Sequence, residues 1–383
     1  MIISLTNYRV GVIGGGQLAR MMIPAASNLG IELKVLAETE NSSAALATTV
    51  VGDFTDAATV VSFAETVDVI TFDHEHVPLA ILQKLEQQGI SVQPPSSALA
   101  QAQNKLVMRR ALEKIGAPNP IWKEVSTALE LDQFINQHGP EVIVKTPIGG
   151  YDGKGVRVVS SSEQVSDWLA EPMISSLGGA LLVEQKVSFK RELAQLSARN
   201  PAGEFVSWPV VETRQKNGVC SEVLSPAPNM SSELSARAVK IAQLISESLG
   251  VTGNLAVEMF ETAEGELLVN ELAMRPHNSG HFTIEGSVTS QFEQHLRAVS
   301  SLPLGKTDAL KPVSVMANLL GVSDSKNFMD NYPQVMSKFP GIKIHSYGKA
   351  PRLGRKLGHI TVVGDNLASC LEVAEAARNE LNK

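Results

Sequence analysis

The pattern of apolar and polar positions divides the chain into three parts with different periodicities. In the first part, short apolar runs alternate with helical periodicity, including a helix from about Gln17. The apolar runs span residues 8–14, 31–37, 67–72 and 90–94. This alternation is typical of a parallel βαβ sheet. The prolines and serines of QPPSSA (93–98) are typical of a loop, so we expect the first domain to end near residue 97.

The middle part begins with a helix and then changes to strand-like runs. NKLVMRRALEKIG predicts a helix that ends at Gly116, with a proline two positions later. Strand-like runs follow, and the longest helical stretch among them lies at about 231–249. We expect an α+β unit with mainly antiparallel pairing over 98–303. Three more strand-like runs and a closing helix predict a small third unit over 304–383.

Composition and charge exclude several classes of protein. Among 383 residues, 43% are hydrophobic and 19% are charged, which is typical of a globular chain rather than a disordered one. The net charge of −7, without blocks of like charge, does not favour nucleic-acid binding. No apolar run approaches the roughly 18 residues of a membrane span, and MIISLTNYRV lacks a signal pattern. We expect a cytoplasmic protein in which Cys220 and Cys370 are packing residues.

A glycine-rich turn follows the first apolar run. GVIGGGQLAR places Gly14, Gly16 and Ala19 in a G-x-G-x-x-A frame between a strand and a helix. Glu38 follows the second strand, where an acid that binds a ribose would lie. The pattern predicts a dinucleotide site, but a tight βα turn without any dinucleotide requires the same glycines. The motif alone leaves both interpretations open.

A second glycine-rich segment lies between two predicted strands. In VIVKTPIGGYDGKGVRVV, Lys145 ends the first strand and GGYDGKG (149–155) precedes the next. Backbone amides of such a hairpin, beside a lysine on a strand, are suited to closing over a triphosphate. The segment is not a P-loop, because glycine follows Lys154. An ordinary glycine-rich hairpin is the alternative.

Two glutamates interrupt apolar strand runs. Glu258 in NLAVEMFE and Glu271 in LLVNELA lie on successive runs that a hairpin would pair, and Asn270 is adjacent. Magnesium is usually held by one or two carboxylates together with substrate phosphates. Each glutamate alone is more typical of a solvated strand position, but burying two unpaired carboxylates would be unfavourable. The pair therefore favours a magnesium site.

Two polar segments predict contacts with an anionic ligand, and a third predicts contacts with substrate hydroxyls. RPHNSGH (275–281) is dense in hydrogen-bond donors, and YGKAPRLGRKLGH (347–359) is a short basic cluster in an acidic chain. Solvated turns are the alternative for both. In DHEH (73–76) we do not favour a metal at His74 and His76, since further ligands are missing; the two acids are candidate acceptors for substrate hydroxyls. No nucleophile motif predicts covalent catalysis.

In this order the motifs resemble those of the N5-carboxyaminoimidazole ribonucleotide synthetases, which are ATP-grasp enzymes. The segments that carry the resemblance are GGGQLARM, FDHEHVP, VKTPIGGYDGKG, VEQKV with KREL, WPVVETRQKNG, NLAVEMF, VNELAMRPHNSGH and YGKAPRLGRKLGH. They extend from about Tyr8 to Val363, and NELAxRxHNSGH with GRKxGH is specific to this family. The resemblance implies an N-terminal Rossmann-like α/β domain (pre-ATP-grasp), a central α+β ATP-grasp domain and a small C-terminal β-rich domain.

The resemblance also implies an activity. Members of the family carboxylate 5-aminoimidazole ribonucleotide with bicarbonate, using ATP and Mg²⁺, in purine biosynthesis, with carboxyphosphate as the presumed intermediate. A homodimer is implied as well. Within the superfamily, the alternative is another ligase such as a formate-dependent glycinamide ribonucleotide transformylase. From the residues alone, a nicotinamide-dependent oxidoreductase and a non-catalytic nucleotide sensor remain as alternatives of other classes.

The resemblance assigns roles to individual positions. For ATP these are Lys105, Lys145, Gly150, Gly153, Gly155, Glu184, Gln185, Val187, Glu192, Asn270 and Glu271. For magnesium they are Glu258, Asn270 and Glu271. For the ribonucleotide and bicarbonate they are Gly16, Gln17, Leu18, Asp73, Glu75, Arg275, His277, Asn278, Ser279, Arg355 and Lys356. For the reaction itself they are Tyr151, Asp152, Lys154 and Lys349, with Asp152 accepting the proton of the attacking amine.

Overall fold

The N-terminal part folds around a parallel sheet. The structure is a computed structural model that describes residues 7–150, 155–216 and 218–383. The elements of this part are β1 (Arg9–Ile13), α1 (Gln17–Leu29), β2 (Glu32–Ala37), β3 (Thr48–Val51), α2 (Ala57–Ala64), β4 (Val69–Phe72) and α3 (Leu79–Gln87). The strand order is β3-β2-β1-β4, and every pair is parallel. The predicted βαβ sheet is confirmed, whereas β3 was not predicted from the sequence.

The run at 90–94 does not form the strand that its apolar residues suggest. Val92 makes a single parallel bridge to Ile70 at the edge of the sheet. Helix α4 (Ser96–Gln103) begins directly after Pro95, so the domain boundary that we expected near residue 97 falls in the first turn of a helix. Proline at the residue before a helix leaves no backbone N–H to satisfy there, which explains why a loop-like composition precedes a helix so closely.

Helix α5 (Lys105–Lys114) confirms the helix predicted at the start of the middle part. Its N-cap residue Asn104 accepts the backbone N–H groups of Leu106 and Val107 through its side chain. Gly116, with a φ of 72°, follows the helix in the left-handed conformation that glycine adopts most readily. The cap and the glycine therefore fix the length of α5 and the direction in which its side chains extend.

A small antiparallel sheet follows α5. Its elements are β5 (Trp122–Val125), α6 (Ala128–His138), β6 (Val142–Lys145), β7 (Val156–Val159), α7 (Ser166–Leu169), α8 (Met173–Ser176) and β8 (Leu181–Gln185). The strand order is β5-β8-β6-β7. Helix α6 packs on one face through Leu131, Phe134 and Ile135, which belong to one apolar cluster with the strands. On the opposite face, Leu182 of β8 and Trp122 of β5 pack with Leu106 of α5.

In the part of the chain that the structure describes, the large sheet has nine strands and contains the C-terminal part of the chain as well as the middle. Its strands are β9 (Phe189–Arg199), β10 (Phe205–Ser207), β11 (Val211–Lys216), β12 (Val219–Ser225), β13 (Gly253–Thr262), β14 (Leu267–Ala273), β15 (Val313–Leu320), β16 (Lys343–Ser346) and β17 (Lys356–Gly364). Their order is β14-β13-β9-β11-β12-β15-β17-β16, with β10 paired to β9. The helices around it are α9 (Ser232–Ser248), α10 (Thr283–Gly286), α11 (Gln291–Val299), α12 (Tyr332–Lys338) and α13 (Leu367–Leu381).

The mainly antiparallel pairing predicted for the middle part is confirmed. The third unit that we expected over 304–383 has its own apolar cluster under α13, but it does not have its own sheet. Strand β15 pairs with β12, with Val315 opposite Leu224, so the C-terminal strands extend the central sheet. Within the described residues, no helix combines the length and the apolarity that crossing a membrane requires.

Helix α11 carries buried polar side chains that connect separate parts of the fold. His295 is fully buried; its Nδ1 accepts the backbone N–H of Asn254 on β13 at 3.1 Å. The proton of the neutral ring is therefore on Nε2, which donates to Thr71 Oγ1 on β4 at 2.7 Å. Burial lowers the pKa of His295 to about 3, so the ring is neutral at physiological pH. This one side chain joins the parallel sheet to the large sheet.

We expect the Thr71–His295 hydrogen bond to stabilise the fold as a pair. Thr71→Val and His295→Leu should each lower the free energy of unfolding by about 1–3 kcal/mol, because each leaves a buried polar group without a partner. The double variant should lose less than the sum of the two, by about 1 kcal/mol. Denaturant unfolding of the four proteins measures this; strictly additive losses would contradict the pairing.

Candidate active site

The glycine turn after β1 is filled by the protein's own carboxylate. Asp73 follows β4, the neighbour of β1, and its Oδ1 accepts the backbone N–H of Ala19 in the first turn of α1 at 2.7 Å. A Cβ atom at Gly16 would overlap Asp73 Oδ2, so glycine is required there by the side chain beside it. Burial raises the pKa of Asp73. The N-terminus of α1 is therefore already occupied by an acid where a dinucleotide would place its phosphate.

Glu38 also has partners within the protein. Its Oε2 accepts the backbone N–H of Gly15 at 3.4 Å, and its Oε1 lies 3.4 Å from His74 Nε2. The hydrogen bond from His74 lowers the pKa of Glu38 to about 2, against the effect of partial burial. The structure thus favours a tight βα turn over a dinucleotide site, and it places His74 with an acid rather than with metal ligands.

A buried ionic network joins the small sheet to the large one. Glu184 on β8 lies between Arg109 Nε of α5, at 2.5 Å, and Lys145 Nζ of β6, at 2.7 Å. Arg109 is fully buried and also donates to the backbone carbonyls of Val269 and Asn270 on β14, at 2.9 and 2.8 Å. Burial alone would raise the pKa of Glu184, but Lys145 and Arg109 outweigh it and hold the value at about 2. The charged network therefore fixes the position of both sheets beside the cleft.

A bulge on β14 turns two adjacent side chains toward the small sheet. Glu258 pairs with Glu271 and Met259 pairs with Val269, which leaves Asn270 as the extra residue of the bulge. Asn270 Oδ1 accepts from Lys145 Nζ at 3.2 Å. Glu271 Oε1 lies 3.8 Å from Lys105 Nζ, and Lys105 also donates to the carbonyl of Gly150 at 3.3 Å. Without the bulge, successive strand residues would point to opposite faces.

Glu258 and Glu271 lie opposite each other on β13 and β14, as the predicted hairpin requires. Burial, followed by the nearby charges of Glu271 and Glu192, raises the pKa of Glu258 to about 8. Its side chain is 28% exposed, so it lines the cleft rather than the core. Two carboxylates that repel each other at the floor of a cleft, with a carboxamide oxygen beside them, are a donor set that suits a divalent cation.

The 275–281 loop follows β14 and brings polar groups to the same place. Arg275 Nε pairs with Glu75 Oε1 at 2.8 Å, so the first domain and the central part meet across the cleft. His277 Nε2 lies 3.5 Å from Glu258 Oε1, while its Nδ1 lies 2.8 Å from Ser279 Oγ. Burial, with the charges of Arg275 and Lys356, lowers the pKa of His277 to about 3. The imidazole is therefore a neutral hydrogen-bonding group.

The basic C-terminal segment approaches the cleft from the opposite side. Lys349 Nζ donates to Gln17 Oε1 at the start of α1. Lys356, the first residue of β17, is close enough to lower the pKa of both Glu258 and His277. Arg355 is different, because its guanidinium donates to the carbonyl of Ala350 on the outer turn, at 3.3 Å. The segment thus contributes two lysines to the cleft.

Most of the positions that we singled out from the sequence border this cleft. Those with the contacts described above are Gly16, Gln17, Asp73, Glu75, Lys105, Lys145, Gly150, Glu184, Glu258, Asn270, Glu271, Arg275, His277, Ser279, Lys349 and Lys356. Asn278 begins the 3₁₀ turn between His277 and His281, and Glu192 lies on β9 beside Phe260 of β13. Gln185 ends β8, and Val187 lies in the short connection to β9.

The remaining expected positions either contribute only backbone groups or lie outside the described residues. The side chain of Leu18 is buried in the apolar core under α1, so only its backbone can reach a ligand. Gly155 is the last residue of the glycine-rich segment 149–155, and its carbonyl accepts the N–H of Thr146 at 2.9 Å. Tyr151, Asp152, Gly153 and Lys154 lie outside the described residues.

Two functional candidates were missed from the sequence. Arg109 shares a helix face with Leu106 and Leu112, and an arginine at a core-facing position of an amphipathic helix was a signal for a buried ion pair. Arg20 donates to the carbonyls of Ser346 and Ser43, both at 3.0 Å, and so holds the turn that carries Lys349. No local pattern indicated the contact between Arg20 and Ser346, because the two residues are 326 positions apart in sequence.

The described residues do not include a cluster of three or more histidine, cysteine, aspartate or glutamate side chains arranged for a metal ion. The smaller set of Glu258, Glu271 and Asn270 would need ligands from a bound phosphate chain to complete a magnesium site.

Comparison with known proteins shows to which family the chain belongs. Three domain models match successive parts of the chain: the ribonucleotide synthetase preATP-grasp domain over 8–103, the ATP-grasp domain over 110–292, and the phosphoribosylaminoimidazole carboxylase C-terminal domain over 314–373. The N5-carboxyaminoimidazole ribonucleotide synthase of Mycobacterium bovis is 45% identical over 377 residues, which cover 97% of this chain and 87% of that protein. The chain belongs to the N5-carboxyaminoimidazole ribonucleotide synthase family. The three-part ATP-grasp architecture implied by the sequence resemblance is thereby confirmed.

Solved structures of the synthase family agree along the whole chain. The Aspergillus clavatus synthase, solved with ADP and 5-aminoimidazole ribonucleotide, has a TM-score of 0.88 at 30% identity, covering 99% of this chain and 100% of that one. The Thermus thermophilus synthetase has a TM-score of 0.83 at 36% identity, covering 97% of each chain. The family fold therefore includes both the cleft and the joined C-terminal strands.

In this member of the synthase family, we expect Glu184→Gln to lower the free energy of unfolding by about 3–5 kcal/mol, because it leaves Arg109 and Lys145 beside a neutral group in the interior. The folded pKa of about 2 lies below the ordinary 4.5, so the carboxylate stabilises the fold fully above pH 4.5. That contribution is lost as the pH falls toward 2.

The exposed pair of Glu141 with Lys186, at 2.6 Å, provides a matched control, since the Glu141 side chain is 52% exposed. Glu141→Gln should change the free energy of unfolding by less than about 1 kcal/mol. Thermal and denaturant unfolding of both variants between pH 7 and pH 3 measure the difference. Equal losses in the two variants would contradict a dominant role for the buried network.

Proposed function

We propose that the protein catalyses the ATP-dependent carboxylation of 5-aminoimidazole ribonucleotide with bicarbonate in purine biosynthesis, releasing ADP and phosphate. The observation that carries this proposal is the meeting of three groups in one cleft: the lysines of α5 and β6, the opposed glutamates of β13 and β14, and the 275–281 loop. Membership of the synthase family supports the same reaction. The solved relative that holds ADP together with 5-aminoimidazole ribonucleotide supports both ligands.

The nucleotide side of the cleft lies between the two sheets. Lys105 and Lys145 would neutralise the phosphates, and Gly150 and Gly155 flank the segment that would cover them. Gln185 at the end of β8, Val187 in the connection to β9, and Glu192 on β9 would hold adenine and ribose. Glu184 was expected to join them, but its side chain is buried between Arg109 and Lys145 and would act by holding Lys145. Lys145 and Lys105 are held by Glu184, Asn270 and Glu271, so little side-chain reordering would be needed for a triphosphate to bind.

Magnesium would be held by Glu258, Glu271 and Asn270 together with phosphate oxygens. The residues fit the ion, because burial and then the charge of Glu271 raise the pKa of Glu258 and disfavour its negative charge, and a divalent cation between the two opposed glutamates would compensate both effects. When bound, the ion supplies charge neutralisation on the phosphates during phosphoryl transfer.

The ribonucleotide side is formed by the first domain, the 275–281 loop and the C-terminal segment. Arg275 would bind an anionic group of the ribonucleotide, which would release Glu75 to accept a hydroxyl. Lys349 and Lys356 would add positive charge, and the backbone at Gly16, Gln17 and Leu18 would supply amide contacts. Arg355 lies on the outer turn and would need to reorient to contribute. His277, Asn278 and Ser279 would complete the site with neutral donors and acceptors.

The chemistry divides into two displacements. A bicarbonate oxygen attacks the γ-phosphorus of ATP, the bond to the bridging oxygen breaks, and ADP leaves, so that carboxyphosphate remains. The exocyclic amine of the ribonucleotide then attacks the carboxyl carbon, and phosphate leaves with the oxygen that came from bicarbonate. The new N–C bond forms as the nitrogen loses a proton. Carboxyphosphate is readily hydrolysed, so the glycine-rich segment 149–155 would act by excluding water.

Asp152 is proposed to accept that proton, with Tyr151, Lys154 and Lys349 at the reacting groups. Asp152→Asn should lower kcat by about 100-fold, because an amide cannot act as the base, while the KM for ATP changes little. Steady-state rates of ADP formation measure this. Turnover of Asp152→Asn at the parent rate would remove the assignment.

From the family resemblance, we also propose that the protein acts in the cytoplasm as a homodimer.

The reaction itself is tested by phosphate release from Mg-ATP with 5-aminoimidazole ribonucleotide and bicarbonate, added separately and together. We expect release that requires the ribonucleotide, and a loss of about 100-fold or more in Glu271→Gln, because that variant lacks one of the two magnesium carboxylates. Glu264→Gln, on the exposed turn of the same hairpin, is the matched control and should retain the parent rate.

Isotope labelling distinguishes the route. Bicarbonate labelled with ¹⁸O should transfer one labelled oxygen to the released phosphate if carboxyphosphate forms. Unlabelled phosphate would contradict that intermediate. Turnover with formate and glycinamide ribonucleotide, in place of bicarbonate and 5-aminoimidazole ribonucleotide, would instead indicate a transformylase.

A further inference from the structure

Gln291, the first residue of α11, reaches from the interior to the 275–281 loop. It is fully buried, and its Oε1 accepts the backbone N–H of His277 at 2.8 Å. Its Nε2 donates to the backbone carbonyl of the same residue at 2.8 Å and lies 2.9 Å from His281 Nδ1. One side-chain amide thus pairs with both backbone groups of His277, as a neighbouring strand would.

The hydrogen-bonding capacity of this amide is well matched to its partners. The two hydrogens on Nε2 have two acceptors, the carbonyl of His277 and the Nδ1 of His281, and Oε1 has the N–H of His277. Glutamate, methionine or leucine at this position could not reproduce the set. Because Nδ1 accepts, the neutral ring of His281 carries its proton on Nε2.

The same amide leaves no room for a side chain at Gly280. A Cβ atom at Gly280 would overlap Oε1 of Gln291. The loop therefore packs against the amide at three residues, His277, Gly280 and His281, over one turn of chain.

The amide holds the backbone of a residue whose ring faces the cleft. With the backbone of His277 fixed, its ring lies between Ser279, at 2.8 Å from Nδ1, and Glu258, at 3.5 Å from Nε2. The 3₁₀ turn of Asn278–Gly280 begins at the same point. The position of Gln291 therefore sets where the polar side chains of the loop lie relative to β13.

We propose that Gln291 is a positioning residue for the ribonucleotide: it does not touch the substrate, but it holds the 275–281 loop in the geometry that binds it. This inference rests on the proposed function, which assigns the loop to the ribonucleotide and the opposite side of the cleft to ATP. Removal of the amide should therefore raise the KM for the ribonucleotide and leave the KM for ATP unchanged.

The chain contains a matched control on the same helix. Gln294, one turn along α11, is also fully buried and also pairs with both backbone groups of one residue. Its Nε2 donates to the carbonyl of Gly305 at 2.7 Å, and its Oε1 accepts the N–H of Gly305 at 2.8 Å. Gly305 lies in the segment that leads from α11 to β15, outside the groups that form the cleft.

The experiment compares steady-state kinetics of Gln291→Met and Gln294→Met with the parent, varying ATP and 5-aminoimidazole ribonucleotide separately at saturating bicarbonate. We expect Gln291→Met to raise the KM for the ribonucleotide by about tenfold or more, with the KM for ATP within about twofold. Gln294→Met should leave both KM values within about twofold, although both variants lower the Tm.

An unchanged KM for the ribonucleotide in Gln291→Met would overturn the proposal, as would a parallel rise in both KM values or the same pattern in Gln294→Met. If Gln291→Met does not fold, Gly280→Ala decides in the same assay, because the added methyl group displaces the amide while every other side chain is retained. A parent protein without ribonucleotide-dependent turnover would remove the proposed function, and this inference with it.

Discussion

The buried charge network of Arg109, Glu184 and Lys145 is the interaction on which the cleft depends. Two cations share one carboxylate in an environment where none of the three would be stable alone. Because Arg109 also binds two carbonyls of β14 at the bulge, the network fixes the small sheet and the bulge relative to each other. The lysine that would meet the nucleotide and the carboxamide that would meet the metal are thus positioned by the same arginine.

The other side of the cleft depends on helix α11 rather than on ion pairs. Its buried amides and imidazole each satisfy backbone groups of a different segment: Gln291 at the 275–281 loop, Gln294 at Gly305, and His295 at β13. Neutral hydrogen bonds suit this role, because a charged residue at any of these positions would need a buried counter-ion. Through Thr71, the same helix also holds β4, whose carboxyl end carries the acids that face the ribonucleotide side.

Whether a feature of the fold or the cleft could be predicted depends on the signal that it leaves in the sequence. Glu258 and Glu271 were identified because acids in apolar strand runs are unfavourable without a partner, and the hairpin that pairs them is local. The bulge at Asn270 left no such signal, since one extra residue does not disturb a short apolar run. Helix α11 was not predicted, because it has only nine residues and polar side chains occupy several of its buried positions, so no long apolar pattern marks it in the sequence. Similarly, the glycine turn was compatible with a bound ligand or with a tight βα turn, and the group that approaches it is Asp73, which only the parallel pairing of β1 with β4 brings there.

The continuous sheet has a consequence for how such proteins can be recombined. Strand β15 pairs with β12 over four residues, and Arg378 on α13 donates to Glu222 on β12 at 2.8 Å. A crossover at residue 304 between two parents would therefore join halves of one ladder from different sequences and would leave mismatched side chains at its centre. A chimera that exchanges the C-terminal part has to take β12 from the same parent. In this protein β12 and β15 should therefore be exchanged together, although they lie on opposite sides of the boundary expected near residue 304.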